Sequence, residues 1–464
     1  MSLQIPELKL TPVLDPDFLP AVKWNEAFRA LAAKTEGSAK FTIGLEQNEN
    51  SISSFTTVSL PHQGEFVALN IKYVERLIKY LLWMKGGYKI YLAGNDALAA
   101  DIAKIYAADG ERVFDYDYMG ERVYGKTMEI IACDEVPASK ESTVPLGRNL
   151  EGCRIGFDLG GSDRKCAAVI DGKVVYSEEI AWNPYFESDP QYHIDGIQHS
   201  LELAAKHLPR VDAIGGSSAG VYVNSEVRAA SLFRGVSDED FEKSIRSVFF
   251  DLRDKWDVPF EVVNDGEVTA LAGSMSADTN AVLGIAMGTS LAAGYVDPEG
   301  HITTWLNELA FSPIDYRENG PEDEWSGDIG CGVQYFSQQG VGRLIPLAGI
   351  NEIPADMPLP EKLVEVQKLM ANGDERARKI YETIGVCFGY AIAHYAEFYD
   401  ISSLLILGRV TSGEGGEIII EKAGEVLSAE YPALASKISL TTPNEKDKRH
   451  GQAVAAASLP KLAK

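Results

Sequence analysis

Apolar positions in this chain recur with two periods. Between residues 41 and 131, "KFTIGLE" and "SSFTTVSL" predict strands, the three-to-four spacing of "KYVERLIKYLLWM" predicts a helix, and strand "YKIYLAG" with helix "DALAADIAKIYAA" completes an α/β layer. Residues 137–152, "PASKESTVPLGRNLEG", carry Pro, Ser, Gly and charge without apolar periodicity and predict a linker. The expected division is an N-terminal α/β domain over 1–150 followed by a larger unit, with lobes at 151–275 and 276–464.

The larger unit opens with strand "CRIGFDL", turn "GGSDR" and strand "KCAAVI", and Asp171-Gly172 is a two-residue hairpin signal leading into "KVVYSEE". Residues 281–305 repeat the plan as "AVLGIAM", the Gly288-Thr289-Ser290 turn, "LAAGYV", the "DPEG" turn and "HITTW". Gly160 to Gly172 and Gly288 to Gly300 have the same spacing. Such a duplication would set two glycine turns opposite each other across a cleft, able to hold a triphosphate from both sides. Between the copies the pattern predicts a helix near 191–207, strand "VDAIGGSSAG", an acidic helix "SDEDFEKSIRSVFFDLRDKW", strand "PFEVVND" and helix "GEVTALAGSM". Beyond the second copy come a long helix in "RARKIYETIGVCFGYAIAHYAEFYD", the buried strand "SSLLILG", helix "GEIIIEKAGEVLSAEY", strand "KISLTT" and the alanine-rich "GQAVAAASLPKLA", a helix expected to return to the first lobe.

Composition narrows the function classes. With 464 residues and 45% hydrophobic content, more than one packed core is expected. A net charge of −25 opposes phosphate backbones and anionic membranes, so no nucleic-acid or membrane partner is expected and a small ligand fits better. The five cysteines are scattered, odd in number and without C-x-x-C spacing, which favours a reducing compartment over a disulfide framework or a zinc site. No secretory pattern opens the chain and no apolar run approaches the roughly 18 residues of a membrane span, so the expectation is cytoplasmic.

Five constellations carry candidate chemistry. In Asp158-Leu159-Gly160-Gly161-Ser162 the glycines let backbone amides approach a phosphate, Ser162 adds a hydroxyl and Asp158 suits Mg²⁺; a plain glycine-rich hairpin is the alternative. Gly288-Thr289-Ser290 is either its partner or an ordinary turn. Asn264-Asp265 ends a strand before a helix, where Asp265 suits a general base and Asn264 a hydroxyl ligand, against the alternative of a helix N-cap aspartate. Glu308, acidic within "WLNELAF", suits a polyol or is a solvated loop carboxylate. Gly408 ends a strand and Gly413, Gly415 and Gly416 precede a helix, a place for an adenine ring or a strand-to-helix turn; it is not a P-loop.

In this order these residues resemble the ROK family of sugar kinases and sugar-responsive repressors, within the actin and hexokinase superfamily of duplicated ribonuclease-H-like lobes. The resemblance covers residues 151 to about 460 and rests on Asp158 to Ser162, Asn264-Asp265, Gly288-Thr289, Glu308 and Gly408. It implies ATP and Mg²⁺, a sugar in the cleft, and Asp265 activating its hydroxyl. Phe311 stands where the family carries a zinc histidine, and "CGVQYFSQQ" keeps only Cys331, so no zinc site is expected. Ser290, Leu291 and Ala292 replace smaller residues in the second phosphate turn, and Arg409 follows Gly408 in place of glycine. Residues 1–150 do not match the repressors' winged helix. The expectation is an ATP-dependent, glucokinase-like kinase acting on a hexose or related sugar. The alternatives are a sugar-binding sensor or pseudokinase and, more distantly, a ROK-type transcriptional regulator; a homodimer stays open.

Overall fold

The computed structural model describes residues 3–141, 146–442 and 448–462. Of the predicted linker, residues 142–145 lie outside the described chain. In the N-terminal unit β1 (Ala39–Asn48) and β2 (Ser51–Ser59) form an antiparallel hairpin. β3 (Lys89–Ala93) joins β1 antiparallel and β4 (Glu129–Cys133) parallel, and β5 (Lys140–Glu141) closes the far edge, giving the order β4-β3-β1-β2-β5. β1 is buried on both faces from Phe41 to Glu46, with the long helix Phe66–Lys85 laid against the sheet.

In the next unit β6 (Cys153–Leu159), β7 (Asp163–Ile170) and β8 (Lys173–Ala181) form an antiparallel meander. Asp171 and Gly172, with φ of +46° and +77°, make the tight left-handed turn that the Asp-Gly pair predicts. β9 (Ala213–Ser218) runs parallel to β6, a small hairpin of β10 (Val221–Val223) and β11 (Glu226–Ala229) follows, and β12 (Phe260–Asn264) runs parallel to β9. The order is β12-β9-β6-β7-β8. The second copy repeats it as β14-β13-β15-β16, from β13 (Val282–Met287), β14 (Leu291–Val296), β15 (Ser403–Leu407) and β16 (Ser439–Thr441). The fold class is therefore α/β with duplicated ribonuclease-H-like lobes and an additional N-terminal α/β unit.

Three expectations are corrected. "HITTW" is no strand: Ile302 makes single bridges to Val296 and Leu146, and the chain then turns to the N-terminal unit, where Thr304 O accepts from Gln47 Nε2. The acidic helix over 237–256 is broken into Asp238–Asp240, a π-helical turn Phe241–Ile245 and the helix Val248–Trp256, because Ile245, Val248 and Phe249 must all reach the core. Gly415 and Gly416 lie inside the helix Glu414–Glu430 rather than before it; a Cβ at Gly415 would come within 2.4 Å of the Tyr381 ring on the helix Glu375–Tyr395, so the glycine serves helix contact.

The N-terminal unit shares a continuous apolar core with the second lobe, running from Phe28 and Tyr73 through Phe311 and Phe388 to Val426. A buried ion network fastens the same face. Asp328 of the second lobe takes Arg76 (3.1 Å), Lys79 (3.3 Å) and Arg112 (2.6 Å), while Glu75 and Asp115 supply the remaining carboxylates. Three cations face three anions, which is what allows so much charge to leave water. The C-terminal helix Lys448–Ala457 lies on β6 and β9, where Gly156 and Gly215 leave room for the carbonyls of Ala453 and Ala456.

Candidate active site

Three parallel strands of the first lobe end side by side, and their carboxyl ends carry the acids singled out above. Asp158 on β6 lies beside Ser217 on β9, whose hydroxyl donates to Asp158 Oδ1 at 2.7 Å. Asn264 on β12 lies beside Ser218. Ligands of open α/β sheets collect at such carboxyl ends. Asp158 keeps its second oxygen 3.7 Å from Lys165 Nζ, which also holds Asp163 at 3.1 Å. Burial, set against the Ser217 hydroxyl bond and Lys165, holds the Asp158 carboxyl above its ordinary value.

The turn after Asp158 is anchored from behind. Gly160 N–H donates to Asp163 O, and Trp182 Nε1 donates to Gly160 O at 2.7 Å. No hydrogen bond within the described chain uses the amide N–H groups of Gly161 and Ser162, and the Tyr185 ring packs on Gly161, where a Cβ would come within 2.1 Å of its hydroxyl. The Ser162 hydroxyl donates to Asp163 Oδ2 at 2.8 Å, leaving its oxygen rather than its proton for other partners. At the second turn Gly288 N–H donates to Ser290 O at 2.9 Å, and the amides of Thr289 and Ser290 are likewise unused within the described chain. Gly408, φ +108°, abuts the base of this second turn: a Cβ there would stand 2.3 Å from Met287 O. Such oriented backbone N–H groups form anion-binding concavities.

Asn264, not Asp265, is the N-cap of the helix Asp265–Ala277. Its Oδ1 accepts from Gly266 N–H at 2.7 Å and its Nδ2 donates to Gly220 O at 2.7 Å, so both ends of the amide help to place the helix. Asp265 is thereby free at the first helical position, with one oxygen also touching Gly266 N–H at 3.0 Å. Burial first, then the Asp158 carboxylate, raises its pKa from 3.8 to about 6. The helix itself lies flush on the second sheet, since a Cβ at Gly294 would meet Gly266 O at 2.2 Å. Asp265 thus leaves the first lobe on an element packed against the second.

Glu308 completes the group from the second lobe. Burial first, then the Asp265 carboxylate, raises its pKa to about 7. Asn307 holds it there: φ is +51°, Nδ2 donates to Glu267 Oε1 at 2.5 Å and Oδ1 accepts from Tyr399 at 2.7 Å. The amides of Asn307 and Glu308 donate to the carbonyls of Met84 and Trp83, both at 2.9 Å. These belong to the last turn of Phe66–Lys85, whose carbonyls have no partner within the helix. Phe311 lies among Trp83 (4.3 Å), Trp325 (5.2 Å) and Phe114 (6.2 Å), an aromatic wall to which the N-terminal unit gives two rings. Among the described residues no group of three or more His, Cys, Asp or Glu side chains is placed to hold a metal by itself.

The structure thus sets Asp158 and Gly160–Ser162 at the carboxyl end of β6, beside β9, with Asp265 directly after β12, while Gly288–Thr289 join β13 to β14 and Glu308 follows in the second lobe. Sequence reading missed Lys165, Ser217, Glu267, Asn307 and the carbonyls of Trp83 and Met84. Lys165 follows the glycine turn closely enough to have been found; the others act only through long-range contacts.

No protein-family model and no curated protein matches the sequence. Solved structures do match in fold. A ROK hexokinase from Thermus thermophilus aligns at 18% identity and TM-score 0.53, over 66% of this chain and 97% of its own. A ROK family transcriptional regulator, a homologue of the E. coli MLC protein, aligns at 18% identity and TM-score 0.53, over 67% of this chain and 79% of its own. The chain shares the fold of these ROK-family structures over about two thirds of its length. One of these neighbours is a kinase and the other a regulator, so activity rests on the site.

Proposed function

We propose that the protein is an ATP-dependent kinase that phosphorylates a hydroxyl of a hexose or related sugar. The observation that supports this reading is that Asp158 and Asn264-Asp265 stand at the carboxyl ends of strands of one parallel sheet, with Asp158 acting on the buried Asp265 carboxyl and Asp265 acting on Glu308. A carboxyl raised to about 6 is mostly ionised at neutral pH and basic enough to accept a proton from a hydroxyl as it attacks phosphorus. The proton passes to Asp265, the hydroxyl oxygen bonds to the γ-phosphorus, and the bond to the β–γ bridging oxygen of ATP breaks.

Glu308 accepts hydrogen bonds from the sugar and fixes its orientation. The paired amides at Gly161-Ser162 and Thr289-Ser290 and the Lys165 ammonium stabilise phosphate charge. Mg²⁺ is commonly held by one or two carboxylates plus substrate phosphates; Asp158, crowded by Asp163, fits that role, and the ion would neutralise charge on the transferring group. Asn264 contributes by fixing the helix that presents Asp265.

ADP release measured with Mg-ATP and a panel of sugars tests the reading: wild type turns over at least one sugar and Asp265→Asn does not. Equal rates in both proteins, or none with any sugar, would overturn it. A sugar sensor without transfer is the second reading, favoured by the N-terminal unit's contacts with both lobes: it carries Glu308's backbone partners, and its turn Tyr118–Tyr124 lies against β10 and β11. Sugar binding with no Mg-ATP binding in calorimetry would select it.

A further inference from the structure

Where the N-terminal unit meets both lobes, the chain forms an open cavity of about 500 Å³, within the size range of small-molecule sites. None of Asp158, Asp265, Glu308 or either glycine turn lines it. The β1–β2 turn contributes Asn48 and Asn50, the β10–β11 hairpin contributes Val221, Asn224 and Ser225, and the segment before Glu308 contributes Ile302 to Leu306. Its surface is divided by depth. Val221, Val262, Ile302 and Leu306 are buried and make an apolar floor, whereas Asn48, Asn50, Asn224 and Thr304 are exposed at the rim.

The rim chemistry is specific. Among the described residues, no hydrogen bond uses the side chains of Asn50, Asn224 or Thr304, so amides and a hydroxyl are open to a ligand. Deeper polar groups are already spent. Ser225 donates to Glu261 Oε2 at 2.9 Å and accepts from Val262 N–H at 3.0 Å, and Glu267 is taken by Asn307 and Tyr295 N–H. One arginine, Arg253, balances Glu261 on the wall. Glu267 also lines the wall, but burial raises its pKa to about 8 and keeps it protonated at neutral pH, so one arginine faces one carboxylate. Neutral donors and acceptors around the rim and an apolar floor match a molecule with hydroxyls on its edge and C–H groups on its face.

We propose that this junction is a second binding site, separate from the cleft, for a small neutral polyhydroxylated ligand that braces the three units together. The mechanical link to the cleft is short on both sides. Asn264 lines the cavity and caps the helix led by Asp265, and Leu306 lines it one residue before Asn307, which positions Glu308. Occupancy therefore fixes the two cleft acids relative to each other without touching either.

Calorimetry on the full chain with D-glucose, D-mannose, N-acetyl-D-glucosamine, maltose and myo-inositol tests this. Glu308→Ala disables the cleft; Asn50→Ala with Asn224→Gly strips the rim, glycine suiting the left-handed φ of +52° at 224. The expectation is that at least one polyol still binds the Glu308→Ala protein, and that adding the rim substitutions weakens that binding about tenfold or more, as loss of one or two hydrogen bonds would. No polyol bound by the Glu308→Ala protein, or binding there unmoved by the rim substitutions, overturns the junction site. Rim-dependent binding in a protein that transfers no phosphate to any sugar leaves the junction site standing and removes the kinase reading. Circular dichroism and melting of the rim variant, expected to match wild type, separate lost binding from lost folding.

Discussion

The two copies of the strand-turn-strand unit end differently. In the first, β8 runs nine residues along β7 as an ordinary edge strand. In the second, the chain leaves the sheet after Val296, touches it once more at Ile302, and passes to the N-terminal unit. Backbone groups that lose a sheet partner need another. The last carbonyls of Phe66–Lys85 supply it to Asn307 and Glu308. A sheet edge has been exchanged for a loop that carries Glu308 to the end of Phe66–Lys85, and the exchange works only because a third unit is docked there. The helix end also directs the negative pole of its dipole toward Glu308, which acts in the same direction as burial on that carboxyl.

The largest effect expected is at Asp265, which both copies help to place. Asp265→Asn should lower kcat by roughly 100- to 10,000-fold, the usual worth of a positioned general base, with the melting temperature little changed. A loss under tenfold in steady-state assays would remove Asp265 from the chemistry.

Next is the docking that distinguishes the second copy. Asp328→Ala leaves Arg76, Lys79 and Arg112 buried beside too little negative charge, and removing one partner of such a network costs about 3–5 kcal/mol. A large fall in the urea midpoint is expected, and an unchanged midpoint would mean the network is not formed in solution.

The two phosphate turns can be set against each other directly. Asp158→Ala should raise the KM for ATP and lower kcat together, whereas Thr289→Ala should mainly raise KM, because its backbone N–H persists after the hydroxyl is removed. Equal losses would show that the turns contribute alike.

Smaller and more diagnostic is pH. Asp265, Glu308 and Glu267 have pKa values raised to about 6, 7 and 8, chiefly by burial, so the native state holds protons that the unfolded chain has already lost. Stability from these groups is full below their unfolded values near 4 and is lost as pH rises toward 8. Unfolding free energy should therefore fall between pH 5 and about 8, and Asp265→Asn should flatten the part near 6. Activity should rise through the same region as Asp265 ionises; a flat rate profile there would contradict the assigned base.

Much of this was legible in order along the chain. Hydrophobic periodicity gave the strands on either side of both glycine turns, and equal glycine spacing gave the duplication, because a tight turn between strands has a strong local signature. Asp158 and Asp265 stood out by position: each lies where an apolar strand gives way to a turn or a helix, although a hairpin or a helix start would place an aspartate there as well. "HITTW" failed because its alternation was real while its neighbour was not another strand. That Asn264 caps the helix was not legible, because an N-cap is defined by where its amide points, which composition does not encode.

The amino-acid sequence by itself determined the duplicated α/β lobes and the two glycine turns, since these depend on local period and turn chemistry. Only the tertiary structure decided that the N-terminal unit shares a core with the second lobe, that helix-end carbonyls hold Glu308, that Asn307 and Glu267 tie the lobes together, and that a cavity forms where three units meet. Those features arise from contacts between residues hundreds of positions apart. Their energetics depend on burial and pairing, which no single stretch of chain contains.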